Sequence, residues 1–415
     1  MEKTVRIGVV GLGQRGDGLI RGVILPLQNR VFEIAAVCDL YPDRVDAAKR
    51  HVFDKTGTEV FGTTDYRDIL SRPDIDALII SSSWESHTDI AVDAMKAGKY
   101  AGIEVGGAYT VKDCWRLVDT FEQTGTPCMF LENCCYGKRE LMILNMYRSG
   151  ALGEIVHCSG GYMHDLRYEI SYGKENRHYR LRNYMNRNCE NYPTHELGPI
   201  AKLLDINNGN RMLTLTSTAS AAKGLHRYIV DRRGEDDPLA RVNFAQGDIV
   251  TTVIRCAGGQ TITLTLDTTL PRCYSRGFTV RGTKGSYFGE TDMIWLDGEH
   301  SKYEWDASPI WGNAKEYEEK YLHPLWKNYQ ARGGHGGMDN LVLLAFAEAV
   351  SKRARPPIDV YDAAAYMSIT ALSEQSILRA GAVVDIPDFT RGKWYNRTDV
   401  DAYGLDYNLD RKIDY

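Results

Sequence analysis

At 415 residues, 43% of them hydrophobic and 25% charged, the chain is too long for one ordinary core, and two domains are the natural expectation. A formal charge of −5, with no Lys/Arg clusters interleaved with aromatics, argues against a nucleic-acid partner, and no apolar run reaches the roughly 20 residues of a membrane span. Cysteines 38, 114, 128, 134, 135, 158, 189, 256 and 273 contain no C-x-x-C spacing; this odd, scattered set fits reduced thiols in a cytoplasmic protein and supplies no metal-ligand set.

The first strand is predicted from Val5, so an export segment is not expected. Val5 to Val10 flows straight into Gly11-Leu12-Gly13-Gln14-Arg15-Gly16, a G-x-G-x-x-G turn between a strand and a helix. In that pattern Gly11 makes the tight turn, Gly13 lets backbone approach a pyrophosphate, and Gly16 lets the helix pack close to the strand, with Gln14 and Arg15 beside the phosphates. Asp39 ends the second strand, Phe32 to Cys38, where a carboxylate accepts from a ribose 2′-hydroxyl and repels a 2′-phosphate; the expected cofactor is therefore NAD. Further strands are predicted at Ala77 to Ile80, Tyr100 to Ile103 and Cys128 to Leu131, with helices at Ser86 to Ala97 and Val111 to Glu122. Short apolar strands alternating with helices predict a doubly wound parallel sheet, a Rossmann domain over residues 1–135. Trp84 and His87 fall beyond a strand end, where such a sheet holds its ligand, and are expected as cofactor neighbours.

From residue 136 the pattern changes. A helix over Arg139 to Ser149 precedes alternating strands at Ile155 to Tyr162, Leu213 to Thr218, Ile249 to Cys256, Thr261 to Asp267 and Phe278 to Gly282, which predict an open, mainly antiparallel sheet in an α+β domain over residues 136–415. Tyr172 to Asn191 and Asp292 to Gly337 follow neither period and are expected as binding loops or lids. Helices are predicted at His195 to Leu204, Met338 to Ser351 and Val360 to Ala380.

This α/β chain resembles the Gfo/Idh/MocA oxidoreductase superfamily over nearly its whole length. Five segments in order narrow the resemblance to glycoside hydrolase family 109: Ser81 to His87, Leu131 to Tyr136, His164 to Arg167, Asn191 to Pro199 and Gly333 to Asp339. The resemblance implies an NAD-dependent α-N-acetylgalactosaminidase acting on a small glycoside or oligosaccharide. It places His195, Tyr274 and Tyr136 in catalysis, Arg180, Tyr192, Glu104 and His335 at the substrate, and Glu104 also at the nicotinamide end. Ordinary dehydrogenases of the superfamily carry Glu-Lys-Pro after the fifth strand, whereas this chain has Glu104-Val105-Gly106, so the usual ammonium acid–base group is missing. The family pattern also expects Gly after the motif histidine, where this chain has Glu196, and that departure bears on which sugar is accepted.

His195, following Pro193 at a helix start, also fits a capping or core role, and Tyr136 also fits a packed aromatic at a domain junction. Tyr274 sits in the polar turn Pro271 to Arg276, which is no place for a core residue. A sugar dehydrogenase releasing NADH, or a nicotinamide-gated sugar sensor, are the rival readings of the same fold. A homo-oligomer is compatible with the sequence.

Overall fold

A computed structural model describes residues 4–106, 108–300 and 305–397. The chain divides into two compact units, one of residues 1–136, 328–364 and 397–415, the other of residues 137–327 and 365–396.

In the first unit, strands β1 (Val5–Val10), β2 (Phe32–Cys38), β3 (Phe61–Thr63), β4 (Ala77–Ile80), β5 (Tyr100–Ile103) and β6 (Cys128–Phe130) form one sheet in the order β3-β2-β1-β4-β5-β6, all parallel. The order reverses between β1 and β4, and in open α/β sheets the crevice beyond the strand ends at such a reversal is the ligand site. All four β4 residues are buried, as strands covered on both faces require. The intervening helices include α1 (Gln14–Leu19), α2 (Pro42–Thr56), α3 (Tyr66–Leu70), α4 (Trp84–Lys96) and α5 (Val111–Thr124). A reciprocal Thr110/Asp113 capping box starts α5, and Gly125 in the left-handed region stops it.

Residues 328–364 return to this unit. The helix Met338–Ser351 sets Phe346 against β5, where a Cβ on Gly102 would come within 3.1 Å of the ring. Phe130 of β6 donates its backbone N–H to Ile358 O at 2.9 Å.

The second unit is built on an eight-stranded sheet. Its strands are β7 (Ile155–Met163), β8 (Met212–Ala219), β9 (Ile249–Cys256), β10 (Thr261–Asp267), β11 (Thr279–Gly282), β12 (Gly285–Phe288), β13 (Met293–Leu296) and β14 (Val384–Asp385), in the order β13-β12-β11-β7-β10-β9-β8-β14. Only β7 and β10 pair parallel; the other neighbours are antiparallel. Along β10, Ile262, Leu264 and Leu266 are buried while Thr261, Thr263 and Thr265 take the other face. Helices α6 (Lys138–Arg148), α7 (Arg167–Ser171), α8 (Arg180–Asn186), α9 (Thr194–Leu203) and α10 (Gly224–Arg233) complete the layer, with α9 packed on β7 and on α6.

Two aperiodic stretches turn out to hold structure. Tyr172 to Asn191 contains α8, whose buried residues are Arg180, Leu181, Asn183 and Tyr184; a helix that buries an arginine and an asparagine shows no apolar stripe. Asp292 to Gly337 contains β13 and several single helical turns, too short to show a period. Among the described residues no helix is long and apolar enough to cross a membrane.

Candidate active site

The first unit carries a dinucleotide cradle. Gly11 has φ +92°, and a Cβ there would lie 2.3 Å from Ser82 N, where backbone cannot yield. A Cβ on Gly16 would lie 1.9 Å from Gly11 O. Gly13 differs: its nearest neighbour is Arg44 Nη1 at 3.4 Å, so the missing side chain leaves open space beside the loop rather than relieving a clash. That open face is what a pyrophosphate needs for close backbone approach. Asp39 is buried, accepting from Leu12 N at 2.7 Å and Tyr41 N at 3.0 Å, with Arg44 Nη1 3.6 Å away. The carboxylate thus locks the loop to the end of β2 and keeps a negative charge where a 2′-phosphate would come. The residues present fit NAD.

Arg15, beside Gln14 in the first turn of α1, lies between two buried carboxylates. Its Nη2 is 2.8 Å from Glu104 Oε1, and its Nη1 and Nη2 are 2.8 and 2.9 Å from the two oxygens of Asp339. Asp339 also accepts from Asn133 Nδ2 at 2.7 Å and His335 Nδ1 at 2.9 Å. Burial pushes the Asp339 carboxyl up, but the hydrogen bonds from His335 and Arg15 outweigh it and hold it well below the ordinary carboxylate range. A carboxylate can only accept, so Nδ1 of the half-exposed His335 ring is the donor in this contact. His335 itself has φ +51°, rare for a non-glycine residue, between Gly333 and Gly336, which are also left-handed.

Trp84 and His87, in the first two turns of α4, are buried. Gly106, at φ +82°, leaves room for the indole, since a Cβ there would meet Trp84 Nε1 at 2.3 Å. His87 Nε2 lies 2.9 Å from Ser82 O, and burial brings its imidazole down to about 4, so it is neutral at physiological pH. Both rings therefore brace the loops after β4 and β5, the second of which presents Glu104. Val105 is buried, and Tyr136, the last residue of the single turn Asn133–Tyr136, is fully buried.

The second unit gathers an aromatic and basic cluster around Tyr162. Its ring centroid lies 4.2 Å from Tyr192, 5.5 Å from His195 and 6.4 Å from Tyr274, and its hydroxyl is 3.1 Å from His164 Nδ1. Tyr192 and His195, at the entry to α9, meet edge to face at 4.9 Å, and Tyr274 meets His164 at 5.2 Å. The Arg180 guanidinium stands 5.0 Å from the Tyr192 centroid, with Nε 3.1 Å from Glu169 Oε1. Tyr192, His195 and Arg180 are buried, and Tyr274 is half exposed. Burial and then the nearby Arg180 lower the pKa of His164, which favours the neutral ring. The Tyr274 turn is held to β7 by paired bonds, Met163 N to Ser275 O at 3.2 Å and Ser275 N to Met163 O at 2.9 Å.

Four of the sequence-expected residues, Arg180, Tyr192, His195 and Tyr274, are thus together in the second unit, and in the first Arg15 joins Glu104 to Asp339, which also meets His335. Sequence reasoning assigned no role to Tyr162, Asn133 or Asp339. A signal for Tyr162 was available: it stands at the end of the predicted strand, two residues before the His164 to Arg167 segment.

Comparison with known proteins adds to this geometry. The family model described as the C-terminal domain of glycosyl hydrolase 109 matches residues 136–396, and that of the oxidoreductase family with an NAD-binding Rossmann fold matches residues 5–131. The chain is 40% identical over 419 residues to an α-N-acetylgalactosaminidase of Tannerella forsythia, covering 95% of this chain and 88% of that protein. It is 40% identical over 422 residues to a glycosyl hydrolase family 109 protein of Parabacteroides distasonis, with the same coverage of 95% and 88%. Among solved structures, an inositol dehydrogenase homologue from Azotobacter vinelandii in complex with NADH and myo-inositol superposes with a TM-score of 0.67 at 17% identity, covering 93% of this chain and 98% of that one. A levoglucosan dehydrogenase in complex with NADH and levoglucosan gives 0.66 at 18% identity, covering 93% and 100%. At such identities these structures speak to the fold alone.

Proposed function

This chain belongs to glycosyl hydrolase family 109 and carries an NAD-binding Rossmann domain, and on that footing we propose that it hydrolyses terminal α-N-acetylgalactosaminides by transient oxidation of the sugar. In this reading residues 1–135, with the returning segment 328–364, hold the dinucleotide and the rest of the chain from residue 136 handles the sugar. Most glycosidases place two carboxylates across the scissile bond, and the NAD-dependent ones are an exception. NAD held there would supply a hydride acceptor for sugar C3 and, once reduced, a donor to the same carbon, so that net redox is zero. With C3 a ketone, the proton on C2 is acidic: a base removes it while the C1–O bond breaks, water adds at C1, and a proton returns to C2.

The observation that carries the proposal is the cluster of His195, Tyr274, Tyr192 and Tyr162 beside Arg180, in a chain whose superfamily lysine position is Val105. His195 and Tyr274 divide proton transfer at C2 and at O3 or the leaving group. Arg180 and Tyr192, joined by Tyr162, hold hydroxyls or the N-acetyl group. Nine cysteine thiols, eight of them buried and none in a disulfide, support a reducing, cytoplasmic setting.

The test is turnover of an aryl α-N-acetylgalactosaminide in D₂O without added reductant. Deuterium at C2 of the released sugar and no net NADH are expected; complete retention of the C2 hydrogen excludes elimination, and NADH accumulating with sugar consumed makes the protein a dehydrogenase. His195→Ala and Tyr274→Phe should each lower kcat about 10²- to 10⁴-fold with NAD content unchanged. An effect confined to KM assigns the residue to substrate positioning.

A further inference from the structure

Glu196 directly follows His195 in α9 and is fully buried. One residue along a helix turns the side chain by about 100°. While the His195 ring lies against Tyr162 and Tyr192, Glu196 lies against β7, where a Cβ on Gly160 would come within 2.7 Å of Glu196 Cγ. The glycine is what admits the acid.

Arg276 meets this carboxylate and a second one. Its Nε is 3.3 Å from Glu196 Oε1, and its Nη2 is 2.5 Å from Glu140 Oε1 on α6. Arg276 closes the turn that carries Tyr274, and its backbone carbonyl accepts from Gly161 N at 2.9 Å. A guanidinium held by two buried carboxylates has a fixed plane and position, because each contact constrains the same rigid fork. The structure assigns Glu196 as a positioning residue: with Glu140 it clamps Arg276, and so sets the Tyr274 turn against the helix start that bears His195. The functional consequence rests on the proton-transfer roles proposed for His195 and Tyr274.

Glu196→Gln keeps the shape and removes the charge. Hydrogen–deuterium exchange over residues 271–277 should accelerate, and kcat should fall about 10- to 100-fold, the scale expected when a catalytic group is displaced by a fraction of an ångström to an ångström. KM should stay within about threefold, because Arg180 and Tyr192 are not part of the clamp. Arg276→Lys, which keeps the charge and loses the planar fork, should act in the same direction should Glu196→Gln fold poorly. Arg233→Gln, which removes an ion pair with Glu175 and Asp237 elsewhere in the same unit, should lower Tm and leave kcat unchanged. Because Glu196 acts through Tyr274, the double variant Glu196→Gln/Tyr274→Phe should turn over no more slowly than Tyr274→Phe alone. Unchanged exchange over 271–277 in both Glu196→Gln and Arg276→Lys overturns the clamp, and multiplicative losses in the double variant overturn its action through Tyr274. If Tyr274→Phe alone leaves kcat intact while exchange still accelerates, the clamp stands and the proposed role of Tyr274 falls.

Discussion

Asp339→Asn removes one charge from a heavily engaged carboxylate of the first unit. Asp339 is 2% exposed and receives four donors: two N–H groups of Arg15 at 2.8 and 2.9 Å, Asn133 Nδ2 at 2.7 Å and His335 Nδ1 at 2.9 Å. An amide offers one accepting oxygen and brings two N–H donors of its own, so some of these contacts become donor against donor. Removing one partner of a buried ion pair costs about 3–5 kcal/mol. Glu104 still holds Arg15, at 2.8 Å, which places the expected loss at the lower end, about 3 kcal/mol. At about 2–4 °C per kcal/mol for a domain of this size, Tm should fall by about 6–12 °C.

The assay is calorimetric melting across pH, with cofactor content read from the denatured supernatant. Because the folded-state pKa of Asp339 is depressed, its stabilisation is fully present above its unfolded value and is lost as pH falls through the lower folded value. The gap between parent and variant should therefore be flat from about pH 5 to 8 and close only in acid. NAD retention should fall as well, since Arg15 stands in the dinucleotide loop. A variant melting within about 2 °C of the parent, or a gap that closes at neutral pH, refutes the reasoning.

Gly16→Ala puts a Cβ 1.9 Å from Gly11 O and should yield protein without NAD; cofactor at the parent level in the purified protein refutes the packing argument. Gly13→Ala meets nothing closer than 3.4 Å, so its Tm should match the parent while NAD affinity falls about tenfold or more by fluorescence titration, and unchanged affinity moves the pyrophosphate elsewhere. Burial pushes the Glu190 carboxyl up to about 8, against a weaker lowering by the Tyr192 backbone N–H. The folded state therefore keeps a proton that the unfolded chain releases, and stability should decline as pH rises from about 4.5 to 8, by at most about 1.4 kcal/mol per unit. Glu190→Gln should flatten that decline in urea melts, and parallel curves for parent and variant would refute it.

Several features were written locally. Gly11, Gly13 and Gly16 between strand and helix, the unbroken apolar run of Ala77 to Ile80 and the alternation of Thr261 to Asp267 each state their structure within a short window. Backbone conformation and burial period act over a few residues, so the Rossmann sheet and the open sheet of the second unit were legible. The motif around His195 likewise lies within nine residues. Elsewhere the window was too short or the period absent: α8 hides because its inward face includes Arg180, and β13 spans only four residues.

Tertiary structure alone decided the partners of buried charge. Arg15 meets Asp339 across 324 residues and Asn133 meets it across 206, while no local pattern records that a carboxylate beyond a glycine loop belongs to the dinucleotide turn. Tyr162 became the centre of the aromatic cluster only because β7, α8, α9 and the turn at Tyr274 converge on it. Glu196 read in sequence as a departure that bears on the sugar accepted, and packing against Gly160 turned it toward Arg276. A side chain's period is a property of its own segment, but the group that neutralises a buried charge is chosen by whichever segments the fold brings into hydrogen-bonding distance.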